Sequence, residues 1–204
     1  MPTIVACVVV LALAGGAAAA QSRDLSIGVF ASDGQLKSFY LAIGDHYGVP
    51  PERVATLRDR YRCRDEELPV AFFLAARARV AAADVLNLRL QGRSWLDITY
   101  HYGLAPDIYF VPVQTDPVGP PYGRAYGHYR TRGAGREWAR SALADPDIVA
   151  LTNLRFLSEH HGVSAETLIA TGGWQVNFVA INDELTKGRA GGATQQARGN
   201  RKKK

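Results

Sequence analysis

The side chains here whose chemistry and spacing attract attention first are the histidines: His46, His101, His128, His160 and His161. A neutral imidazole ligates metals or moves a proton near neutral pH. Four of the five fall within one phrase that occurs three times, DHYGVPPERV from Asp45, YHYGLAPDIY from Tyr100 and EHHGVSAETL from Glu159. No pair has the i, i+4 spacing that preforms a helical metal site, and adjacent His160 and His161 point in different directions. A metal would therefore require the fold to bring separate phrases together. On the simpler reading, histidine suits the C-terminal end of a helix, where the dipole favours imidazolium and the ring can bond terminal carbonyls.

A second set lies in VPVQTDPVGPPYGRAYGHYRTRGAGR, residues 111–136. Tyr122, Tyr126 and Tyr129 alternate with Arg124, Arg130 and Arg132, and His128 sits among them. Such a mixture can stack on sugars or bases and grip anions, or it can pack with its polar tips at the surface. A third set is cationic. The basic residues beyond Thr186 are Lys187, Arg189, Arg198, Arg201, Lys202, Lys203 and Lys204, with no acid among them. Removing these seven charges lowers the formal net charge from +5 to −2, so the body is near neutral and the end is basic. Arg201 to Lys204 are candidates for contact with an anionic polymer.

Other chemistry finds little support. Cys63 is the one cysteine besides Cys7, and although neighbouring arginines would lower its pKa, no particular base accompanies it. Asp65, Glu66 and Glu67, like Asp183 and Glu184, are adjacent in sequence and suit solvated helix segments better than catalysis. No G-x-S-x-G elbow, Walker loop, H-E-x-x-H or Rossmann glycine pattern occurs.

These residues need helices to place them. Each phrase has an aliphatic residue, a small one (Gly44, Thr99, Ser158), three variable positions, glycine, then an aliphatic residue. Glycine belongs where a helix ends in a left-handed turn, and the aliphatic residue tucks back against that helix. Pro51, Pro106 and Ala165, each followed by an acid, then begin a second helical segment. Between the first two phrases, Pro69 starts a helix through Arg79, a second helix begins near Ala83, Gly92 breaks it, and Ser94 caps WLDITYHY. Asp145-Pro146-Asp147 starts a long helix through His161. Leu25 to Phe30 suits a short strand or lead-in, Trp138 to Leu143 suits another helix start, and Trp95 and Trp174 suit core positions. The prolines and glycines of 111–136 predict a loop without regular helix.

The phrase resembles the helix-turn-helix of DNA-binding proteins, but LAPDIYFVPV at the recognition position has no Arg, Lys, Asn or Gln to read bases, so sequence-specific DNA binding is not expected. YGVPPERVATLR and GRSWLDITYHYGL are similar to phrases in a loose group of exported bacterial proteins built from helix-turn-helix-like repeats. That resemblance implies architecture, with no activity attached. AIGDHYGVPPERVATLRD and FLSEHHGVSAETLIAT also resemble the helices of LysM modules, which implies binding to N-acetylglucosamine polymers. The Gly-Asp-(Ser/Thr)-Leu opening and flanking strands of that family are not evident.

Residues 1–20 read as a cleaved export signal: Ile4 to Ala14 is apolar and too short to span a bilayer, and Ala18-Ala19-Ala20 precedes Gln21. No Lys or Arg precedes the apolar stretch. The expectation is a mainly α-helical protein, periplasmic or secreted, with no transmembrane span after cleavage. Two small helical lobes, 21–110 and 137–186, are joined by the 111–136 loop, and 187–204 forms a disordered basic tail. The function expected is non-catalytic binding or scaffolding in the cell envelope, with an anionic envelope polymer or envelope protein as partner and no cofactor or metal. The alternatives are a LysM-like glycan binder and a hydrolase or histidine-based metalloprotein.

Overall fold

A helix that is buried on nearly every face needs apolar residues on most of them, and DIVALTNLRFL supplies Ile, Val, Ala, Leu and Phe around a few polar side chains. In the computed structural model this segment lies in the helix Asp145–His161, and most of the other helices pack around it. The structure describes residues 34–114, 119, 121–132, 143–172 and 177–201; for 128–132, 172 and 191–201 the description is of the backbone. The expectations placed on residues 1–20, Leu25 to Phe30, Trp138, Trp174 and Lys202 to Lys204 lie outside the described residues.

The helices are α1 (Gly34–Tyr47), α2 (Pro51–Tyr61), α3 (Leu68–Ala78), α4 (Ala82–Leu90), α5 (Trp95–His101), α6 (Gly123–Arg132), α7 (Asp145–His161), α8 (Ala165–Gly172) and α9 (Phe178–Arg201). Short 3₁₀ turns cover Asp65–Glu67 and Pro106–Tyr109, and no strand occurs among the described residues. None of the described helices is long and apolar enough to cross a membrane.

The first helix packs on the last, and α7 touches α1, α3, α5, α6, α8, α9 and both 3₁₀ turns. Asp33–Lys204 consequently forms one unit, not two lobes across a linker. Phe39, Ile43, Leu68, Leu74, Leu86, Trp95, Ile98, Ile148 and Leu151 are fully buried along this common core. Trp95 is thus a core residue, as expected.

The three repeated turns share one geometry. Gly48, Gly103 and Gly162 have φ of 68°, 69° and 67°. Val49, Leu104 and Val163 donate their backbone N–H to the carbonyls of Gly44, Thr99 and Ser158 at 2.9, 3.0 and 3.2 Å. The small residue is therefore where the chain folds back on its own helix. A Cβ at Gly44 would stand 2.7 Å from the Val49 carbonyl oxygen, whereas the Ser158 hydroxyl donates to the Val163 carbonyl at 2.7 Å.

Beyond the turns the three units diverge. The first opens into α2 and the third into α8, but the second opens into a single 3₁₀ turn, Pro106–Tyr109. There Tyr109 is fully buried. Thr99 donates to the Trp95 carbonyl at 2.7 Å, so the Tyr109 hydroxyl donates to Thr99 across 2.6 Å. Arg155 of α7 holds the carbonyls of Ile108 and Phe110 at 3.2 and 2.6 Å.

Two local expectations are corrected. Gly123–Arg132 within the presumed loop is helical. Prolines stop at Pro121, and Tyr122 and Tyr126, one turn apart, are buried together. Residues 187–201, expected as an irregular tail, continue α9. Nothing after Phe178 is proline, and Lys187 pairs with Asp183 one turn back at 2.5 Å.

The carboxylates expected in solvent include two that are buried, Glu67 and Asp183. Arg89 explains the first. Its guanidinium donates to Glu67 at 2.7 Å and to Asp145 at 2.6 Å, while it lies 4.9 Å above the Trp95 ring. The Trp95 backbone N–H donates to Asp145 at 2.8 Å, and its indole N–H to Glu67 at 3.3 Å. Burial opposes the charge on Glu67, but the Arg89 bond, the Arg64 backbone N–H and both cations outweigh it, holding this carboxyl below its usual range.

The Arg89 centre and the Gly44 turn can each be tested by stability. Removing the cation in Arg89→Met leaves two carboxylates facing each other with Glu67 buried, and is expected to lower the unfolding free energy by about 3–5 kcal/mol in urea titration. Gly44→Ala is expected to cost about 1–3 kcal/mol by forcing a Cβ against a backbone carbonyl, whereas Gly188→Ala, with open space around it, leaves stability unchanged or raises it by about 0.5–1 kcal/mol.

Candidate functional site

The fold brings three of the five histidines together. His46 ends α1, His160 and His161 end α7, and α9 covers them with Asn182 and Arg189. Ring centroids are 6.3 Å apart for His46 and His160 and 4.7 Å for His160 and His161. Phe156 lies 5.3 Å from His46 and 5.8 Å from His160. The contacts are mostly edge-to-face, and among the described residues no three His, Cys, Asp or Glu side chains are grouped to hold a metal. His101 stands elsewhere, exposed at the end of α5 against Tyr102. For His128 the description stops at the backbone.

The cluster also sets a tautomer. Asn182 donates its amide to the Ser38 hydroxyl at 3.1 Å, so its carbonyl oxygen faces His161 Nε2 at 2.9 Å. Nε2 therefore carries the proton, and the buried Nδ1 has no hydrogen-bond partner among the described residues. Burial lowers the pKa of all three rings. For His160 the neighbouring His161, His46 and Arg189 act in the same direction, and for His46 the Glu159 carboxylate at 3.6 Å opposes it. The imidazolium that helix ends would favour is thus displaced by neutral imidazole, because the rings are partly buried against one another and Phe156, with Asn182 of α9 on His161.

The Tyr/Arg set is turned inward as far as its side chains are described. Tyr122 and Tyr126 are buried, and the Tyr126 hydroxyl donates to the Val111 carbonyl at 2.6 Å. Arg124 grips the buried Asp147 of α7 with both ends of its fork, at 3.1 and 2.7 Å. Tyr129, Arg130 and Arg132 share α6, with backbone alone described. Arg201 is the last helical residue of α9. Cys63 is buried, and burial reinforced by Glu67 pushes its thiol up to about 11, so the thiolate that flanking arginines would promote does not form near neutral pH.

One concave feature was not anticipated. A groove of about 430 Å³ lies between the Gly48 turn, α2 and the turn joining α3 to α4. Tyr47, Val49, Leu57 and Phe72 give it an apolar floor, with Tyr47 and Phe72 stacked at 5.5 Å. Arg53 and Arg79 stand on its walls, and among the described residues no carboxylate lines it. Arg79 caps α3 with φ 58°, a left-handed step that the repeated phrases assign to glycine. This conformation costs an L side chain about 1–2 kcal/mol. The sequence signal was an arginine after LPVAFFLAARA where a helix-ending glycine would ordinarily stand.

Comparison of the chain with known protein families, with curated proteins and with solved structures finds no match.

The histidine geometry fixes a pH dependence. Each folded-state pKa is lowered, so the unfolded chain binds more protons in mild acid. Stability from this cluster is full above the ordinary histidine value of about 6.5 and falls as pH drops below it towards the folded-state values. Urea midpoints measured from about pH 7.5 to 5 are expected to decline, and His161→Gln to flatten part of that decline. A midpoint rising over the same range would contradict neutral burial.

Proposed function

We propose that this chain is an exported, non-catalytic binding or scaffolding protein of the cell envelope, held to an anionic envelope polymer or protein through its basic C-terminal end. The observation that carries the reading is the last helix. α9 stays against the body as far as Arg189, which donates to the His160 carbonyl at 3.3 Å, and runs on to Arg201, with residues 187–190 exposed. From Lys187 onward it bears cations and no acids, whereas the rest of the chain sums to −2. Lys187 and Arg189 turn back to Asp183 and the His160 carbonyl, so the cations offered to a surface are those from Arg198 onward. Two features support a non-catalytic role: the Tyr122, Arg124 and Tyr126 side chains are engaged in internal packing, and Cys63 is insulated. Contact therefore falls to the α9 end rather than to those three side chains.

The test is co-sedimentation of the chain from Gln21 onward with peptidoglycan, lipopolysaccharide vesicles and anionic phospholipid vesicles at about 50 and 500 mM salt. A companion carries Gln at Arg201, Lys202, Lys203 and Lys204. Binding at low salt that weakens at high salt and falls at least several-fold in the companion supports the reading. Salt-resistant binding of both chains to peptidoglycan would replace it with recognition of glycan by the helical body. Absence of binding to every surface would overturn the polymer-bound form of the proposal.

A further inference from the structure

We infer that the groove between α2, α3 and α4 is a binding site for a small amphiphilic anion, an apolar chain bearing one terminal carboxylate. Its volume of about 430 Å³ lies within the range, about 300–1,000 Å³, of small-ligand sites. The floor is apolar, and the one hydroxyl among its described residues, on Tyr47, is already engaged with the Pro69 carbonyl at 3.3 Å. An alkyl chain laid there displaces water from apolar surface without stranding a polar group.

The charge at the walls selects the head group. Neither the Arg53 nor the Arg79 guanidinium has an ion-pair partner among the described residues, and no carboxylate lines the groove. Contrast the other left-handed arginine, Arg62, which lies in a crevice it shares with Asp59, Asp65 and Glu66. Each planar fork can hold a carboxylate through two hydrogen bonds. The N-terminus of α4, at Ala81 to Ala83, opens on the same groove without a side-chain cap, but Asp84 in that first turn already answers its dipole, so the head group rests on the two guanidinia. The left-handed strain at Arg79 then has a use: it sets a cation beside the apolar floor at a position where glycine would relax the chain.

This inference is independent of the basic end of α9, and its failure leaves the envelope reading standing. The experiment is calorimetric titration of the chain from Gln21 with decanoate below its micellar concentration, with decanol and acetate as controls. Decanoate is expected to bind at one site, with decanol and acetate each at least ten-fold weaker. Arg53→Gln and Arg79→Gly should each weaken decanoate at least ten-fold. Arg79→Gly should also keep or raise the thermal midpoint, because glycine relieves the left-handed step, and this separates lost recognition from lost folding. Ala76→Trp, at an exposed wall position, should block binding without unfolding the chain. Decanol binding as well as decanoate, no decanoate binding, or affinity unchanged in both arginine variants would each overturn the site.

Discussion

The fold depends on one guanidinium. Arg89, next to the last residue of α4, holds Glu67 at the start of α3 and Asp145 at the start of α7, and Trp95 donates to the same two carboxylates from the start of α5. Four helix boundaries thus meet at one charged centre. Glu67 also accepts from the Arg64 backbone at 3.1 Å, so each of its oxygens has a donor. A buried pair of this kind is not automatically stabilising, since desolvation offsets much of the attraction. What it supplies is register. Apolar residues on α3, α4, α5 and α7 tolerate a small slide past one another, but a fork that must meet two carboxylates does not.

With that junction set, α7 can act as the central column. Its buried polar side chains are used to fasten other elements: Asp147 takes Arg124 of α6, Asn153 donates to the Glu66 carbonyl, and His161 meets Asn182 of α9. The column explains why the chain is one unit. Residues on both sides of 111–136 need the same helix to bury their apolar faces, so separating them into lobes would expose Phe156 and Leu151 along with their partners.

Much of the architecture was legible because it is local. Glycine φ values at 48, 103 and 162, the Ser94 cap that accepts from the Asp97 N–H at 3.0 Å, Pro69 in a first turn and the full span of α7 arise from short-range geometry. The failures share a different origin. The helicity of α6 draws on the burial of Tyr122 and Tyr126 and on an ion pair to Asp147 across 23 residues. The burial of Glu67 needs Arg89, which is 22 residues away. The second repeated turn leads into no α-helix because Tyr109 is drawn into the core by Thr99 and Arg155 holds the carbonyls around it. In each case a tertiary contact outweighs the local pattern.

The same reasoning relocates the search for function. Residue types suggested that the richest stretch, tyrosines interleaved with arginines, would be the surface that meets a partner. Yet a side chain capable of chemistry is available for it only when its charge and hydrogen bonds are not already answered within the fold. Tyr122, Tyr126, Arg124 and Cys63 are answered, by a carbonyl, a carboxylate or burial, and the three clustered imidazoles are held neutral against one another. Arg53 and Arg79 are the reverse case: cations without a counter-charge among the described residues, beside an apolar groove open to solvent. Both guanidinia are exposed, so water satisfies them in the free chain, and they remain available to a ligand's carboxylate beside the groove. Complementarity to something outside the chain explains both halves of the arrangement at once.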